Sequence, residues 1–248
     1  MPGSKFSEQH RVLYYETNVT QQINIGQMVN LMILVSENQG DQLGLTSQVI
    51  AEHGCGWVIT QHLLEIERLP RKDEVITITT QAQSSNPFFC YRDFWIHDQA
   101  GNLLVKMHSV FVLMDLKTRK MIRIIPELVT AYGAEMSKKV ERLPIPATLS
   151  TVSHQQEYRV RFMDIDSNYH VNNVHYFDWM LDCLDKDFLM QHRLVKMNIQ
   201  YKQEIHYGQT PVSQVWQATA TQTHHQIMVA DQICCVAQCE WQKNENNI

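Results

Sequence analysis

The chain has 248 residues, 44% of them hydrophobic and 19% charged, which is enough apolar material for a sizeable core and too much for a disordered chain. That length holds one large domain or two of ordinary size, and a formal net charge of −5 argues against a general nucleic-acid binder. No apolar run reaches the length of a membrane span. The opening Met1-Pro-Gly-Ser-Lys-Phe-Ser-Glu lacks both the apolar core of a signal peptide and the Arg- and Ser-rich length of a transit peptide, so a cytoplasmic protein with no membrane role is expected.

In chain order, residues 1–9 read as a loose lead-in and His10–Asn18 as a first strand in which Val12, Tyr14 and Glu16 alternate with their neighbours. Thr20 is placed to cap a helix with Ile25, Met28, Met32 and Val35 on one face and Leu31 alongside. Asn38-Gln-Gly-Asp should stop that helix, Gly40 taking the left-handed conformation. A strand opens at Gly54, carrying Trp57, and runs toward the turn at Pro70–Glu74. Val75–Gln83 alternates strongly, and Phe88–His97 and Leu103–Met114 are long strands joined by hairpin chemistry at Asp98–Asn102. Four strands after one helix predict an antiparallel α+β domain.

A basic segment follows, with Lys117, Arg119, Lys120 and Arg123, and then a short helix from Glu127 to about Gly133. Pro144 and Pro146 favour an extended connection. The boundaries read as a first domain at 1–130, a linker at 131–153 and a second domain at 154–248. The second half repeats the order: a strand at Gln156–Phe162, a polar stretch, then a helix whose apolar face is Phe177, Met180, Leu181, Leu184 and Phe188. Strands near Leu194–Ile205, Ser213–Thr223, Gln226–Val229 and Gln232–Gln242 complete it. Matched element order predicts a tandem duplication.

The six cysteines (Cys55, Cys90, Cys183, Cys234, Cys235 and Cys239) lack Cys-x-x-Cys spacing and read as reduced, buried residues, with neither zinc nor disulfides. His53, His62, His97 and His108 share no metal-site spacing, and no cofactor is expected.

The polar stretch between strand and helix is the most informative part of the chain. Asp166, Asn168 and His170 are two residues apart, so in an extended loop their side chains would face one cavity. Asn172 or Asn173 stands at the helix N-cap, where free backbone N–H groups favour a developing negative charge. Asp and Asn before a helix also serve as plain caps and turns, and residue type alone does not separate the two readings.

Asp164–Tyr176, Asp-Ile-Asp-Ser-Asn-Tyr-His-Val-Asn-Asn-Val-His-Tyr, resembles the Asp-x-Asp-x-Asn-x-His-Val-Asn-Asn-x-x-Tyr signature of the acyl-acyl-carrier-protein thioesterases. The resemblance extends to Trp57-Val-Ile-Thr-Gln, Tyr91-Arg-Asp-Phe-Trp and Lys120-Met-Ile-Arg-Ile-Ile-Pro-Glu, and covers about Phe6 to Gln242. It implies two hot-dog domains, each a curved antiparallel sheet around a central helix, and hydrolysis of fatty acyl-carrier thioesters. Without a transit peptide, the resemblance points to a bacterial enzyme. It also implies a further carboxylate, Glu204, in Ile199-Gln-Tyr-Lys-Gln-Glu-Ile, where the plant pattern continues with cysteine and this chain has Ile205. A cysteine nucleophile there is excluded, and an ordinary pairing of Glu204 with Lys202 is the plain alternative.

The roles expected from the resemblance are Glu204 with His170 on the attacking water, Asn168 and an N–H near Asn173 or Val174 on the thioester oxygen, and Asp166 orienting its neighbours or sharing the base work. Met28, Met32 and Trp57 are expected to line the acyl tunnel. Lys117, Arg119, Lys120 and Arg123 form a candidate docking face for the acidic acyl carrier protein, or a merely solvated face. Arg92 and Asp93 match a family pair and also fit a structural ion pair. Rival readings are an acyl-coenzyme A thioesterase, a dehydratase of the same fold, and a non-catalytic acyl-binding regulator. A monomer or a homodimer is compatible with two fused domains.

Overall fold

The structure, a computed structural model, describes residues 1–244; residues 245–248, which close the expected second domain, lie outside the described residues. Its first element corrects the expected lead-in: β1 (Lys5–Arg11) pairs antiparallel with β3 (Val75–Ser85). The strand expected at His10–Asn18 ends instead in one 3-10 turn, Tyr14–Glu16. The Glu16 carboxylate closes it, accepting from the Leu13 N–H at 2.7 Å and lying 2.9 Å from His10 Nε2, so the alternation breaks. Helix α1 (Ile25–Gln42) starts after Asn24 rather than at Thr20, whose hydroxyl turns to Asn18. Ile25, Met28, Met32 and Val35 are buried as its apolar face. Gly40 stays inside the helix, where a Cβ would stand 2.9 Å from the Tyr132 hydroxyl, and the left-handed residue is Gly44.

A short helix that sequence reading missed, α2 (Ser47–Glu52), is capped by the Thr46 hydroxyl. β2 (Cys55–Ile66), β3, β4 (Cys90–His97) and β5 (Leu103–Asp115) follow, then β6 (Met121–Ile122) and α3 (Glu127–Thr130). In the second half, β7 (His154–Glu157) is shorter and earlier than expected, and a 3-10 turn occupies Phe162–Asp164. The expected single helix breaks into α4 (Val174–Asp182) and α5 (Lys186–Gln191), because Asp185 Oδ1 accepts from the Asp187 N–H at 2.7 Å and starts a new cap. Phe188 therefore stacks on His192 and meets Trp241 edge-on rather than extending the α4 face. β8 (His192–Tyr201), β9 (Val212–Thr219), β10 (Gln222–Val229) and β11 (Gln232–Lys243) complete the chain.

The eleven strands among the described residues join in one antiparallel sheet, ordered β1-β3-β4-β5-β2-β8-β11-β10-β9-β7 with β6 on β5. The two half-sheets meet where β2 pairs β8, Gln61 opposite Gln200 and Leu63 opposite Asn198. Each half curves round its helix, and the fold is a tandem hot-dog. α1 and α4 touch at Gly26, where a Cβ would lie 3.1 Å from the Val174 carbonyl oxygen. Their apolar faces merge into one core that includes Met28, Met32, Phe177 and Met180. On the other face of the sheet the connection between the halves is tied down at Pro144. Its carbonyl accepts from Gln61 Nε2 at 2.7 Å and Asn198 Nδ2 at 2.8 Å, and Gln61 Nε2 also donates to Asn198 Oδ1.

The two halves enter their helices through the same loop. Thr17 bridges Ile23 as Ile165 bridges Val171. The Asn18 N–H donates to the Gln22 carbonyl, and the Asp166 N–H to the His170 carbonyl. The Asn24 N–H closes on the Glu16 carbonyl at 2.8 Å and the Asn172 N–H on the Asp164 carbonyl at 2.9 Å. Gln21 and Tyr169 take the left-handed conformation at corresponding tips, with φ of 60° and 65°. Glu16 and Asp164 play one part, each accepting from the backbone N–H three residues earlier.

Asp164 is buried, which by itself would raise its pKa. Hydrogen bonds from the Arg161 side chain and N–H, with the neighbouring His175, outweigh burial and leave it below the usual carboxylate value. A depressed folded value contributes stability above the unfolded pKa of about 3.9 and loses it as pH falls through the folded pKa. Asp164→Asn should therefore lower the thermal midpoint at pH 7, with the gap to the parent protein closing below about pH 4. A constant gap from pH 7 to acid in melting curves would contradict this.

Candidate active site

β8 ends at Tyr201 because the N–H groups of Lys202 and Gln203 both turn to the Cys234 carbonyl. The chain then crosses the second-half loop, where the Val171 N–H donates to the Ile205 carbonyl at 2.7 Å. That crossing sets Glu204 beside His170, with Oε1 3.7 Å from Nε2. Glu204 pairs with Arg119, not with Lys202. Arg119 comes from the turn between β5 and β6, where its φ of 54° turns the chain. Of the four basic residues expected to form a docking face, Arg119 thus belongs to this site. Lys117, Lys120 and Arg123 remain exposed, Arg123 lying over the Phe88 ring.

His170 Nδ1 is 3.1 Å from the Val171 carbonyl oxygen, which can only accept, so this nitrogen carries the proton. In the neutral ring Nε2 then presents its lone pair toward Glu204. Asp166 Oδ2 lies 3.9 Å from Nδ1, so the two carboxylates flank opposite edges of the imidazole. The loop is a tight turn, not the extended segment expected. The Asn168 N–H donates to Asp166 Oδ1 at 2.8 Å, which puts Asn168 at the exposed tip with its side chain bordering the cavity. At the start of α4 the Asn172 side chain accepts from the Val174 N–H at 3.1 Å. The Asn173 N–H has no acceptor among the described residues, which narrows the expected pair of donors to one.

These groups stand at the mouth of a cavity of about 1080 Å³ that runs beneath α1 across β2, β5 and β4. Trp57, Asn173 and Val174 line it. Met28 and Met32 do not: both are fully buried in the shared core, and α1 gives the cavity its neighbouring edge, including Val29 and Ile33. The most regular apolar face of a helix packs against the larger core, and periodicity does not say which edge stays open. Arg92 and Asp93 do not pair, because successive strand residues point to opposite faces. Arg92 turns in to the cavity, and Asp93 pairs with His108 on the outer face.

Cys55 and Cys90 line the cavity, and burial pushes the Cys90 thiol up to about 12, away from thiolate chemistry. All six cysteines are free thiols. No group of three or more His, Cys, Asp or Glu among the described residues is placed to hold a metal ion, and none of their helices is long and apolar enough to cross a membrane. Sequence reading missed Arg119 as the partner of Glu204, and no local signal marks it. It also missed the correspondence of Glu16, Asn18, Thr20, Gln22 and Asn24 with Asp164, Asp166, Asn168, His170 and Asn172, which the spacing does carry.

The acyl-ACP thioesterase N-terminal domain matches residues 3–132 and the acyl-ACP thioesterase C-terminal domain matches residues 148–243. A solved structure from Lactobacillus plantarum, assigned as an oleoyl thioesterase, is 41% identical, covers 98% of each chain and superposes with a TM-score of 0.94. The 12:0-ACP thioesterase from Umbellularia californica shares the fold at 20% identity and a TM-score of 0.85, over 97% of this chain and 98% of that one. The chloroplastic oleoyl-acyl carrier protein thioesterase of Coriandrum sativum is 25% identical over 82% of this chain and 60% of its own length. Curated plant relatives are thus matched over about half to three fifths of their length, 52% for a Cuphea viscosissima acyl-[acyl-carrier-protein] hydrolase. With both of its halves matched, the chain belongs to the acyl-ACP thioesterase family.

Proposed function

We propose that this protein hydrolyses the thioester of fatty acyl-acyl-carrier-protein, releasing free fatty acid and the carrier thiol. The observation that supports it most is His170 Nε2 facing a Glu204 already paired with Arg119, at the mouth of a largely apolar cavity. A water held between Nε2 and Glu204 attacks the thioester carbonyl carbon and gives its proton to Nε2. Glu204 stabilises the imidazolium that forms, and Arg119 holds the carboxylate in position. The carbonyl oxygen becomes an oxyanion that accepts from the Asn168 side-chain amide and the Asn173 N–H. Collapse breaks the carbon–sulfur bond, and the leaving thiolate takes the proton from His170. Asp166 braces the loop through the Asn168 N–H and orients the imidazole from its other edge. Trp57 and Val174 form part of the wall for the acyl chain. The division into a first domain at 1–130, a linker at 131–153 and a catalytic second domain from 154 belongs to this proposal.

His170→Ala, Glu204→Gln and Asn168→Ala should each lower kcat for acyl-carrier thioesters by roughly 10²–10⁴ in folded protein. Full turnover in any of them would remove that residue from the mechanism. Coenzyme A esters should be poorer substrates than carrier-protein esters, and turnover of coenzyme A esters alone would overturn the choice of carrier.

Lys117, Lys120 and Arg123 remain the docking face for the acidic carrier. Reversing all three to Glu should raise KM for the carrier-protein substrate several-fold at low salt and leave KM for a coenzyme A ester little changed. Equal effects on both carriers, or a KM indifferent to salt, would rule the face out.

A further inference from the structure

The inner face of the first half-sheet carries a polar row where a plain hydrocarbon tunnel needs none. His62 on β2 stands opposite Ser109 on β5, and Ser109 opposite Arg92 on β4. His62 and Ser109 are 0% exposed and Arg92 8%. One row along, the same three strands present Leu64, Met107 and Phe94, which is ordinary core.

Both ends of the row keep unpartnered groups, sealed from solvent at His62 and not at Arg92. His62 Nδ1 lies 2.7 Å from Ser109 Oγ, while its Nε2 is buried with no hydrogen-bond partner. Burial pushes the pKa of the ring down to about 3 and so keeps it neutral. Arg92 Nη1 donates to Gln39 Oε1 at 2.7 Å and Thr80 Oγ1 at 3.0 Å, and the Tyr132 ring covers the guanidinium at 4.7 Å. The N–H groups on Nε and Nη2, which form one acceptor-binding edge, have no acceptor among the described residues. No carboxylate among those residues pairs with this buried cation. With only neutral partners, this cation keeps its donor edge open to the cavity, where an acceptor on a ligand can reach it.

Both His62 and Arg92 line the cavity that the proposed function fills with an acyl chain. On that reading, we infer that this wall recognises an oxygen substituent, a hydroxyl or oxo group, carried by the acyl chain away from its thioester. The protein then favours oxygenated chains over plain ones of equal length.

The position follows from the sheet. The Tyr201 ring lies 6.0 Å from His62 and belongs to the residue three before Glu204. Arg92 stands two strands beyond His62, roughly 10 Å further from the reacting carbonyl. The substituent therefore lies in the middle or distal part of the chain, not next to the thioester. A neutral oxygen suits the wall better than a second carboxylate, because Glu37 and Asp41 on α1 line the same cavity.

The test separates binding from turnover. Binding of palmitic acid and of its mid-chain hydroxy and oxo derivatives to the full chain is measured by calorimetry, beside hydrolysis of the matching carrier-protein esters. The oxygenated acids should bind at least about tenfold more tightly. Arg92→Met and His62→Phe should shrink or invert that ratio. Equal or tighter binding of plain palmitate by the parent protein would overturn the inference, and would mean that solvent alone satisfies the row. If Arg92→Met fails to fold, the ratio in the parent protein and in His62→Phe decides. A binding preference without hydrolysis of any ester would overturn the thioesterase reading instead, and leave the recognition standing.

Discussion

The pairing of β2 with β8 is the constraint on which the rest of this structure depends. Each half-sheet alone would leave that strand as an open edge of unpaired backbone groups. Joining them gives one continuous sheet and brings α1 against α4 closely enough that a Cβ at Gly26 would crowd the Val174 carbonyl oxygen. It also makes the site composite. The cavity wall and Arg119 come from the first half, and the loop from Asp166 to Asn173 and Glu204 come from the second. Gln61 and Asn198, on the two joined strands, hold the connecting chain at Pro144. One junction thus ties sheet, connection and candidate site together.

The duplicated loop separates scaffold from chemistry. Turn closure, bridge and left-handed tip are the same in both halves, and Glu16 serves as Asp164 does. In the first half the positions of Asp166, Asn168 and His170 hold Asn18, Thr20 and Gln22, which can hydrogen-bond but cannot take a proton from water near neutral pH. The crossing chain corresponds as well: Pro70 accepts from Ile23 as Ile205 does from Val171, and the residue before it is Leu69 instead of Glu204. The first-half loop therefore keeps the architecture and the structural carboxylate Glu16, and none of the titratable groups at the positions of Asp166, His170 and Glu204.

Much of this was legible in the sequence, and for identifiable reasons. β3, β4, β5 and β9 to β11 are marked by period-two alternation and turn residues, and the α1 face by its three- and four-residue spacing. The loop and Glu204 were marked by a long motif. What failed depends on local side-chain caps that periodicity does not weigh, and on partners distant in sequence. Glu16 turns a strand-like pattern into a 3-10 turn, and Asp185 divides what periodicity reads as one helix. Arg119 looks like one charge in a basic run until the sheet brings it to Glu204. Arg92 and Asp93 look like a pair until the strand sends them to opposite faces.

A composite site makes a claim that neither half could meet alone: Arg119 from the first half and Glu204 from the second act as one unit. The measurement that tests it most directly is a double-mutant cycle in kcat/KM, with Arg119→Met, Glu204→Gln and the double variant on one acyl-carrier substrate. The account predicts a large loss from either change and little further loss from the second. Losses that simply add, or full activity in Arg119→Met, would contradict it.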